Sequence, residues 1–409
     1  MAVPKLRFKA DDGSDYSNLE ETKLDTLMAF KNGINASGDK FGRGTKCISV
    51  MDILNNSCIT YDVIKGEVDV DEKTLQNFSV EYGDAVFQRS SENVQDAGRA
   101  NVYMDKDRPA TFSGFVIRGK RIANYEPMFM NGLLNTFSVR KQIMSKAQGA
   151  QHINIGQEIL SSVRVNMPSL PEQQKIAEFL STVDTVIEKQ KETVSAWEER
   201  KKGVMQKLFS QEVRFKADDG SDFPEWEEKK LGDITSQYKV RNKKRLPLEI
   251  YSVNNIVGFI PQSEQFDDAG YLKDTDTSIY MIVPPKHFAY NPARLDIGSI
   301  GYQYLDHDVQ VSSLYEVFET SDLVNDNFLW SWFHTHYFNN VVKRLQEGGV
   351  RLYFYYDKMQ EVKIELPSLP EQQKIADCLS SLDEVIEKQK AILAAWEEMK
   401  KGLLQQMFV

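Results

Sequence analysis

The sequence predicts a mixed α/β (α+β) protein in which two globular domains are joined by two long antiparallel coiled-coil helices. Three observations lead to this prediction. A stretch of 42 residues occurs twice, at 168–209 and 367–408, and 28 of its positions are identical. Each copy carries an apolar repeat that is typical of a long helix. The segments before the copies, 16–165 and 223–365, each have the length of one domain but do not resemble each other.

The repeated stretch is predicted to form a helix that begins near Pro171 in the first copy and near Pro370 in the second. Proline suits the first position of a helix, and a glutamate follows it in both copies. No later proline interrupts either copy, so we expect ~38 helical residues, about 57 Å at 1.5 Å per residue. These helices lie in the predicted segments 166–222 and 366–409.

Residues on one side of each copy recur at alternating spacings of four and three, which is the heptad pattern of a coiled coil. A single helix would expose this apolar seam to water, so the seam needs a partner. We expect the two copies to pair with each other, because a tether gives a high effective concentration. A dimer of two chains is the alternative. The predicted interface consists of Ile176, Leu180, Val183, Ile187, Gln190, Val194 and Trp197 with Ile375, Leu379, Leu382, Ile386, Gln389, Leu393 and Trp396.

A second repeat, RFKADDGSD, occurs at 7–15 and at 214–222. The second occurrence follows the first long helix directly. The first occurrence lies at the start of the chain, where it could complete the end of the second helix. Residues 1–15 are therefore predicted to close a ring, with neighbouring termini and a pseudo-twofold relation between the two halves.

Both variable segments combine short β-rich runs with turns, so each is predicted to be an α/β domain. Turns are expected at Gly83–Asp84 and Arg118–Lys120. The amphipathic stretch Asn327–Leu345 is predicted to be one helix. The predicted strands are 85–87, 114–117, 279–283 and 314–318.

The composition indicates a folded protein from a reducing compartment. Hydrophobic residues make up 41% of the 409 residues, which is enough for substantial cores. The three cysteines, Cys47, Cys58 and Cys378, lack metal-ligand spacing and are too few for a disulfide framework. Neither a membrane-spanning run nor a signal peptide is predicted, so we expect a soluble, cytoplasmic protein. The net charge of -10 argues against nonspecific nucleic-acid binding by the whole surface, but it allows local basic clusters.

The motifs of enzymes are incomplete in this sequence, so we predict neither catalytic residues nor a metal site. The segment 33–40 fails as a phosphate-binding loop, because Asp39 separates its second glycine from the lysine. His334 and His336 are two residues apart on a predicted helix and would point to different faces. The segment 291–294 lacks the second proline and the aromatic residue of an adenine methyltransferase motif. A stand-alone nuclease or methyltransferase would need these missing motifs.

The repeated arrangement resembles the specificity (S) subunit of type I restriction–modification systems. The resemblance is carried by PSLPEQQKIA at 168–177 and 367–376, each leading into a long heptad helix, and it covers the whole chain. It implies that 16–165 and 223–365 are target recognition domains, each reading one half of a split, asymmetric DNA sequence. It further implies that the paired helices set the unread gap. The subunit itself would be non-catalytic and located in a bacterial or archaeal cytoplasm.

The same resemblance implies several partners. These are double-stranded DNA, two adenine methyltransferase subunits docked on the repeated frame and, in the full enzyme, two motor/endonuclease subunits. No cofactor is expected in this chain. S-adenosylmethionine is expected on the methyltransferase subunits, and ATP with Mg on the motor subunits. The alternative is a coiled-coil DNA-binding regulator or scaffold, which would bind its sequence fully without any enzyme partner.

Readout of DNA grooves draws on Arg, Lys, Asn and Gln side chains presented on loops. A helix of about 57 Å exceeds one turn of DNA, ~34 Å, so two domains could reach successive major grooves. The loops after Gly149 and Gly348 have equivalent positions but unlike contents, as expected if they read different bases. Cations in the larger clusters are expected to touch phosphate. The predicted DNA-binding residues are Gln88, Arg89, Arg118, Lys120, Arg121, Arg140, Lys141, Gln151 and Asn154 in the first domain, and Lys239, Arg241, Lys243, Lys244, Gln303, Lys343, Arg344, Arg351 and Tyr353 in the second.

Overall fold

The computed structural model describes residues 4–149, 152–254, 258–265, 276–346 and 352–408, except for the side chains of 264 and 265. The chain divides into two compact units. Unit 1 comprises Met1–Glu192 and Ala391–Val409, and unit 2 comprises Thr193–Lys390. Each unit therefore contains one globular domain together with a part of each long helix.

Unit 1 begins with the RFKADDGSD segment, followed by a domain of short strands and helices. Short 3-10 turns lie at Gly38–Lys40 and Tyr61–Val63. The elements are β1 (Glu20–Lys23), α1 (Leu24–Leu27), β2 (Met28–Asn32), β3 (Phe41–Ile48), α2 (Val50–Asn55), β4 (Glu67–Val68), α3 (Glu72–Asn77), β5 (Ala85–Gln88), β6 (Ser90–Ser91), β7 (Ala100–Val102), β8 (Thr111–Phe112), β9 (Val116–Arg121), α4 (Pro127–Leu134), α5 (Phe137–Met144), β10 (Ile153–Asn154), α6 (Gln157–Ser161), β11 (Arg164–Met167) and the long helix α7 (Leu170–Phe209).

Unit 2 repeats this plan after the second RFKADDGSD segment. Its 3-10 turns lie at Thr277–Ile279 and Leu295–Ile297. The elements are β12 (Glu227–Lys230), α8 (Leu231–Ile234), β13 (Thr235–Gln237), β14 (Tyr251–Asn254), β15 (Gly258–Pro261), α9 (Gln262–Gln265), β16 (Met281–Val283), β17 (Phe288–Tyr290), β18 (Ile300–Tyr302), β19 (Val309–Val311), β20 (Glu316–Thr320), α10 (Asp326–Phe333), α11 (His336–Leu345), α12 (Tyr356–Met359), β21 (Lys363–Leu366) and the long helix α13 (Leu369–Met407).

Each domain is built on a four-stranded antiparallel sheet with an equivalent strand order. The order is β2-β9-β5-β7 in unit 1 and β13-β20-β17-β18 in unit 2. Every residue of β5 and β17 is buried, as expected for inner strands. The helices α4–α5 and α10–α11 pack onto the main core of their own domain. The two variable segments therefore share a fold that their sequences do not reveal.

Of the predicted strands, 85–87 lies within β5, whereas β9, β16 and β20 each begin two residues later than predicted. Residues 114–115 and 314–315, predicted as strand, lie in turns instead. One predicted turn is also wrong. The residues Arg118–Lys120 lie inside β9, which runs from Val116 to Arg121. Gly119 pairs with Phe30 on one side and Ala85 on the other, so ladder hydrogen bonds hold this strand on both edges. A Cβ at Gly119 would lie 2.5 Å from the sulfur of Met28. Glycine here allows close packing inside a strand and does not mark a turn.

The single helix predicted at Asn327–Leu345 is also wrong, because the structure has two helices there. The first, α10, ends at Phe333, and α11 begins at His336. The hydroxyl of Thr335 accepts a hydrogen bond from the backbone N–H of Phe338 and so caps the start of α11. The same break occurs in unit 1, where Thr136 precedes α5.

The long helices α7 and α13 confirm the predicted class of fold. In unit 1, Lys400 of α13 pairs with Asp184 of α7 at 2.5 Å. In unit 2, Lys201 of α7 pairs with Asp383 of α13 at 2.6 Å. In both units the beginning of one helix lies beside the end of the other, so the helices are antiparallel.

The seam residues lie on the protected sides of the two helices. All fourteen are buried or half-buried, whereas most of their neighbours along the helices are exposed. The eight fully buried ones are aliphatic, and the tryptophans and glutamines are half-buried. The lysines at 201 and 400 continue the same seam and reach acidic partners instead of apolar ones. Ion pairs at such positions favour one register of the helices over others.

The predicted closure of the chain is present within unit 1, since the N-terminal segment lies against the end of α13. The backbone N–H of Leu6 donates to the carbonyl oxygen of Gln406, 3.0 Å away. In unit 2 the equivalent N–H, of Val213, donates to the carbonyl of Lys207 within the continuous chain, at 3.3 Å. The N-terminal segment thus contacts the end of α13 in the same way that the continuous link after α7 contacts the end of α7.

An arginine and a buried glutamate fix each of these junctions. Arg7 binds the carboxylate of Glu172 through two nitrogens, at 2.6 and 3.0 Å. Arg214 binds Glu371 in the same way, at 2.9 and 3.1 Å. Both glutamates lie in the first turn of a long helix and are almost completely buried. The indole N–H of Trp226 also donates to Glu371.

The long helices α7 and α13 are too polar to span a membrane. Of the helices in the described residues, none is both long enough and apolar enough to cross a bilayer. Charged residues recur along both long helices and form ion pairs there. Their apolar residues form a narrow seam and not a continuous apolar surface.

Replacing Glu371 with alanine should lower the free energy of unfolding of unit 2 by about 2 kcal/mol, because Arg214 and Trp226 lose a buried acceptor. Glu172→Ala should have a similar effect on unit 1. The measurement is urea-induced unfolding of the full chain. The controls are Lys216→Ala and Lys9→Ala, which break exposed ion pairs in the same segments and should cost less than ~0.5 kcal/mol. Equal losses in both sets would contradict the assigned role.

Candidate nucleic-acid interface

In each domain the loops gather at one end of the four-stranded sheet, which we call the loop edge. In unit 1 it is the end where β5 stops and β9 starts, since Gln88 lies opposite Val116. In unit 2 it is the equivalent end, where Tyr290 lies opposite Glu316. Strand β2 or β13 ends at the same edge, because it is antiparallel to β9 or β20. Side chains from loops that are distant in sequence are therefore brought together there.

The loop after Gly149 is attached to the loop edge of unit 1. The N–H of Ile155 donates to the carbonyl of Arg89, 2.9 Å away, and β10 pairs with β6. The hydroxyl of Ser90 donates to the side-chain carbonyl of Asn154. Arg89 is half-buried and donates to the carbonyl of Gly114 at 3.2 Å. Arg89 and Asn154 thus lie at this edge, and both are engaged in local hydrogen bonds.

The same attachment is made in unit 2 with different residues. The N–H of Phe354 donates to the carbonyl of Pro292, 3.0 Å away, which joins the loop before α12 to the end of β17. Tyr353 is half-buried in this loop, and its ring stacks on Tyr355 with centroids 5.5 Å apart. The main-chain attachment is shared between the two units, whereas the side chains on the loops differ.

The basic loop 239–245 follows β13 at the loop edge of unit 2. Lys239, Arg241, Lys243 and Lys244 are all exposed. Arg245 has a left-handed backbone, with φ 52°, and pairs with Asp276 at 3.3 Å. The cations at 241, 243, 244 and 245 line one open depression with Ser278 and Ile279. Such a cluster can hold an anionic backbone by charge and hydrogen bonding.

The buried side chain of Asn242 fixes the shape of the basic loop through hydrogen bonds. It is 1% exposed although it stands among five cations. Its amide donates to the carbonyl of Leu246 and to Gln310, and its side-chain oxygen accepts from the N–H of Leu246, all within 2.7–2.9 Å. The equally buried Gln310 in turn donates to the carbonyl of Leu248. The sequence analysis missed both residues; the signal for Asn242 was a single uncharged amide inside a run of cations.

Four predicted DNA-binding residues are buried, which contradicts the prediction that they contact DNA. Gln88 donates to the carbonyl of Ser90. Arg118 crosses the sheet to the carbonyl of Ser79 and lies over the ring of Phe112. Burial lowers the pKa of this guanidinium, although Asp84 opposes the shift. These side chains stabilise the domain from inside.

Arg140 and Gln303 are the other two buried residues. Arg140 donates to the carbonyl of Gln95 at 2.7 Å, and burial lowers its pKa to about 10. Gln303 closes the turn 304–308 by accepting from the N–H of Leu305 and donating to the carbonyl of His307. Both long polar side chains were predicted to be surface groups. Their hydrogen-bond partners are instead backbone groups within the domain.

The remaining predicted residues that the structure describes lie on the surface or near it, but not all at the loop edges. Lys120 and Arg121 end β9 at the opposite edge, where Arg121 donates to the carbonyls of Ala123 and Tyr125. Lys141 is exposed on α5, and Lys343 and Arg344 are exposed in the last turn of α11. Gln151 and Arg351 lie outside the described residues.

No group of histidine, cysteine and carboxylate side chains in the described part of the chain is arranged to hold a metal ion. His334 follows the end of α10 and His336 begins α11, so they do not share one helix. The thiol of Cys47 is buried, which raises its pKa to about 12 and suppresses its reactivity.

A family model matches most of the chain. The match is to the type I restriction modification DNA specificity domain and covers residues 52–195 and 224–396. It therefore includes most of both domains and of both long helices. The same domain model is matched twice, once in each half of the sequence.

Relatives in Methanocaldococcus jannaschii are similar along much of their length. A putative type I restriction enzyme MjaX specificity subunit is 23% identical over 410 residues, covering 93% of this chain and 90% of the relative. The type I restriction enzyme MjaVIII specificity subunit is 23% identical over 282 residues, covering 64% of each chain.

Solved structures show the same fold at low sequence identity. A type I restriction–modification system S subunit from M. genitalium has a TM-score of 0.51 at 16% identity, with 100% of this chain and 99% of that chain covered. A chain from a structure of type I R-M system assembly has a TM-score of 0.54 at 14% identity, with 95% and 96% covered. Such identities support the fold and not individual contacts.

Replacing Asn242 with alanine should loosen the basic loop, because the backbone of Leu246 and the buried side chain of Gln310 would lose their hydrogen bonds to it. The loop carries several trypsin sites, so limited trypsin digestion followed by mass spectrometry measures its opening. We expect cleavage after Lys243, Lys244 or Arg245 to become about tenfold faster or more. Asn340→Ala, an exposed amide on α11, is the matched control and should leave the cleavage rate unchanged. An unchanged rate for the Asn242 variant would contradict the assigned role.

Proposed function

The chain belongs to the type I restriction modification DNA specificity family, and on that premise we propose that each of its domains reads one half of a bipartite, asymmetric DNA target. It is a specificity subunit and not itself an enzyme. The observation that carries the proposal is the shared sheet with unlike loop edges. The main-chain attachments recur in both units, while the side chains beside them differ: Asn154 precedes the attached residue in unit 1, and Tyr353 precedes it in unit 2.

The loop edges supply two kinds of contact that recognition of DNA requires. Exposed cations of the basic loop can bind phosphate oxygens, which positions a protein on the duplex without reading sequence. Polar side chains at the ends of β6 and β10 can bind base edges. The net charge of -10 is consistent with binding confined to such local surfaces.

The long helices are proposed to set the gap between the two half-sites. Helix α7 has 40 residues and α13 has 39, so each is about 60 Å long at 1.5 Å per residue. Lysine–aspartate pairs such as Lys400–Asp184 and Lys201–Asp383 favour one register of the antiparallel pair. A fixed register would keep the distance between the domains, and therefore the length of unread DNA, constant.

The repeated frame is proposed to recruit two methyltransferase subunits, and motor/endonuclease subunits in the complete enzyme. The junctions Arg7–Glu172 and Arg214–Glu371 give the two units closely similar surfaces near the helix starts. Two copies of one partner could therefore bind in equivalent ways. S-adenosylmethionine would be bound by the methyltransferase subunits, and ATP with Mg by the motor subunits, while this chain would bind DNA.

The proposal is tested by co-expressing the full chain with the methyltransferase subunit of its system and sequencing the modified adenines in the host genome. We expect one split motif whose two halves differ and whose gap is constant. Omitting this chain should abolish the modification. A motif without a gap, or methylation that persists without the chain, would contradict the proposed function.

Exchanging residues 16–165 for the equivalent domain of another specificity subunit should alter one half of the motif and leave the other half unchanged. The physical reason is that each domain has its own core and its own loop edge. The measurement is again the methylated motif. The reciprocal exchange of 223–365 is the control and should alter the other half. A change in both halves after a single exchange would refute modular reading.

Inserting four residues into the link Ser210–Val213 should change the length of the gap and leave both half-sites intact. This link joins α7 to the segment that holds Arg214 against Glu371, so extra residues would displace one domain relative to its helix. An insertion of equal length between the exposed residues Lys106 and Asp107 serves as the control and should not alter the gap. An unchanged gap after the insertion in the link would contradict the proposal that the helices set the gap.

A further inference from the structure

Each domain presents one large apolar side chain at the tip of an equivalent turn. In unit 1 the turn joins β8 to β9 and carries Phe115, which is 66% exposed. In unit 2 the turn joins β19 to β20 and carries Leu314, which is 71% exposed. Strands β9 and β20 hold the same place in their sheets, so the two tips are structurally equivalent although the surrounding sequences are unlike.

The tip of unit 1 is held rigidly by its neighbours. The N–H of Val116 donates to the carbonyl of Ser113 at 2.9 Å, which closes the turn. Arg89 donates to the carbonyl of Phe115 through its backbone N–H, at 2.9 Å. A Cβ at Gly114 would lie 1.8 Å from the side-chain oxygen of Asn35, so a larger residue there would displace Asn35. The position of Phe115 is therefore fixed while its ring remains in water.

The tip of unit 2 is held by different residues in a similar way. The N–H of Tyr315 donates to the carbonyl of Ser312 at 3.1 Å and closes the turn. The hydroxyl of Tyr315 accepts from the N–H of Val253, which anchors the turn to β14. Leu314 therefore projects from a fixed backbone, as Phe115 does.

Both tips lie at the loop edge of their sheet. Phe115 directly precedes Val116, where β9 begins opposite the end of β5. Leu314 lies two residues before Glu316, where β20 begins opposite the end of β17. The Glu316 carboxylate accepts a hydrogen bond from the side-chain amide of Gln237, which ends β13 two residues before Lys239 of the basic loop. The apolar tips thus lie beside the polar and cationic loops.

A single exposed apolar side chain is ordinary on a protein surface. Ile122 and Leu323, for example, are 59% and 55% exposed at the opposite ends of the same two strands. Exposure is therefore not the argument. The argument is that two domains with unlike sequences keep a large apolar group at the same rigid turn, on the edge where their DNA-binding loops gather.

We infer that Phe115 and Leu314 are apolar base contacts, one in each half-site. This inference rests on the proposed function, because it requires the loop edges to face DNA. An apolar side chain can contact the C5-methyl group of thymine in the major groove, or it can enter between base steps and unstack them. Either contact removes apolar surface from water and contributes to affinity without neutralising a phosphate.

This chemistry predicts a signature that separates the tips from the basic loop. Contacts to phosphate release counterions, so losing them reduces the slope of binding affinity against salt concentration, by about 0.9 for each contact. An apolar contact leaves that slope unchanged. Removing a tip should therefore weaken binding by a constant factor at every salt concentration, whereas removing two basic-loop cations should also flatten the slope.

The test uses the full chain assembled with its methyltransferase subunits and a duplex carrying the motif identified by methylation sequencing. We expect Phe115→Ala and Leu314→Ala each to weaken binding roughly tenfold, which corresponds to about 1.4 kcal/mol, without changing the salt slope. Phe115→Leu and Leu314→Phe should retain most of the affinity. Lys243→Ala with Lys244→Ala should lower the slope. Ile122→Ala and Leu323→Ala are the matched controls and should bind as the unaltered chain does.

Two further measurements decide the source of any effect. In one, thymine is replaced by uracil in the half-site of one domain, and the loss of affinity is measured. In the other, 2-aminopurine is placed in that half-site, and its fluorescence reports unstacking. Either signal should depend on the tip of that domain alone. Assembly with the methyltransferase is measured separately, by analytical ultracentrifugation. Tip variants that bind DNA normally, or that lose affinity only because assembly fails, would overturn the inference. Failure of the unaltered complex to bind the motif would instead overturn the proposed function.

Discussion

Two buried carboxylates impose the constraint on which the arrangement of each unit depends. Glu172 and Glu371 stand in the first turn of a long helix with almost no exposure, and a buried charge must be paired. The partners are Arg7 and Arg214, which come from the repeated RFKADDGSD segment. In unit 2 that segment simply continues from α7. In unit 1 it is the N-terminal segment, so pairing Glu172 brings that segment to the start of α7, where Leu6 also bonds to Gln406 at the end of α13.

The constancy of this frame leaves the domains free to differ. Both sheets have an equivalent strand order, and both attach the loop before the last short helix to the end of an inner strand through one main-chain hydrogen bond. Bonds between main-chain groups do not depend on side-chain identity. Consequently the exposed side chains at the loop edges can change without altering the fold, which is the property that a pair of recognition domains requires.

The buried polar residues show how a cluster of cations in a sequence can mislead. Arg118 and Arg140 were chosen with their neighbours as surface groups, yet each reaches a carbonyl inside unit 1. The reverse error concerns Asn242, which was passed over among the cations of 239–245 although it holds the loop together. Alternation of side chains along a strand and the position of a hydrogen-bond acceptor decide these cases, and neither is visible in local composition.

The sequence by itself determined the elements whose cause is local or repeated. The heptad spacing predicted α7 and α13, and the displaced RFKADDGSD segment predicted the meeting of the termini, because periodic burial and duplication are written along the chain. Only the tertiary structure decided that two unlike segments share one sheet, that Gly119 lies inside a strand, and that Phe115 and Leu314 occupy equivalent turns. The physical reason is that strand pairing joins residues distant in sequence, so equivalence between the domains lies in hydrogen bonds and not in residue identity.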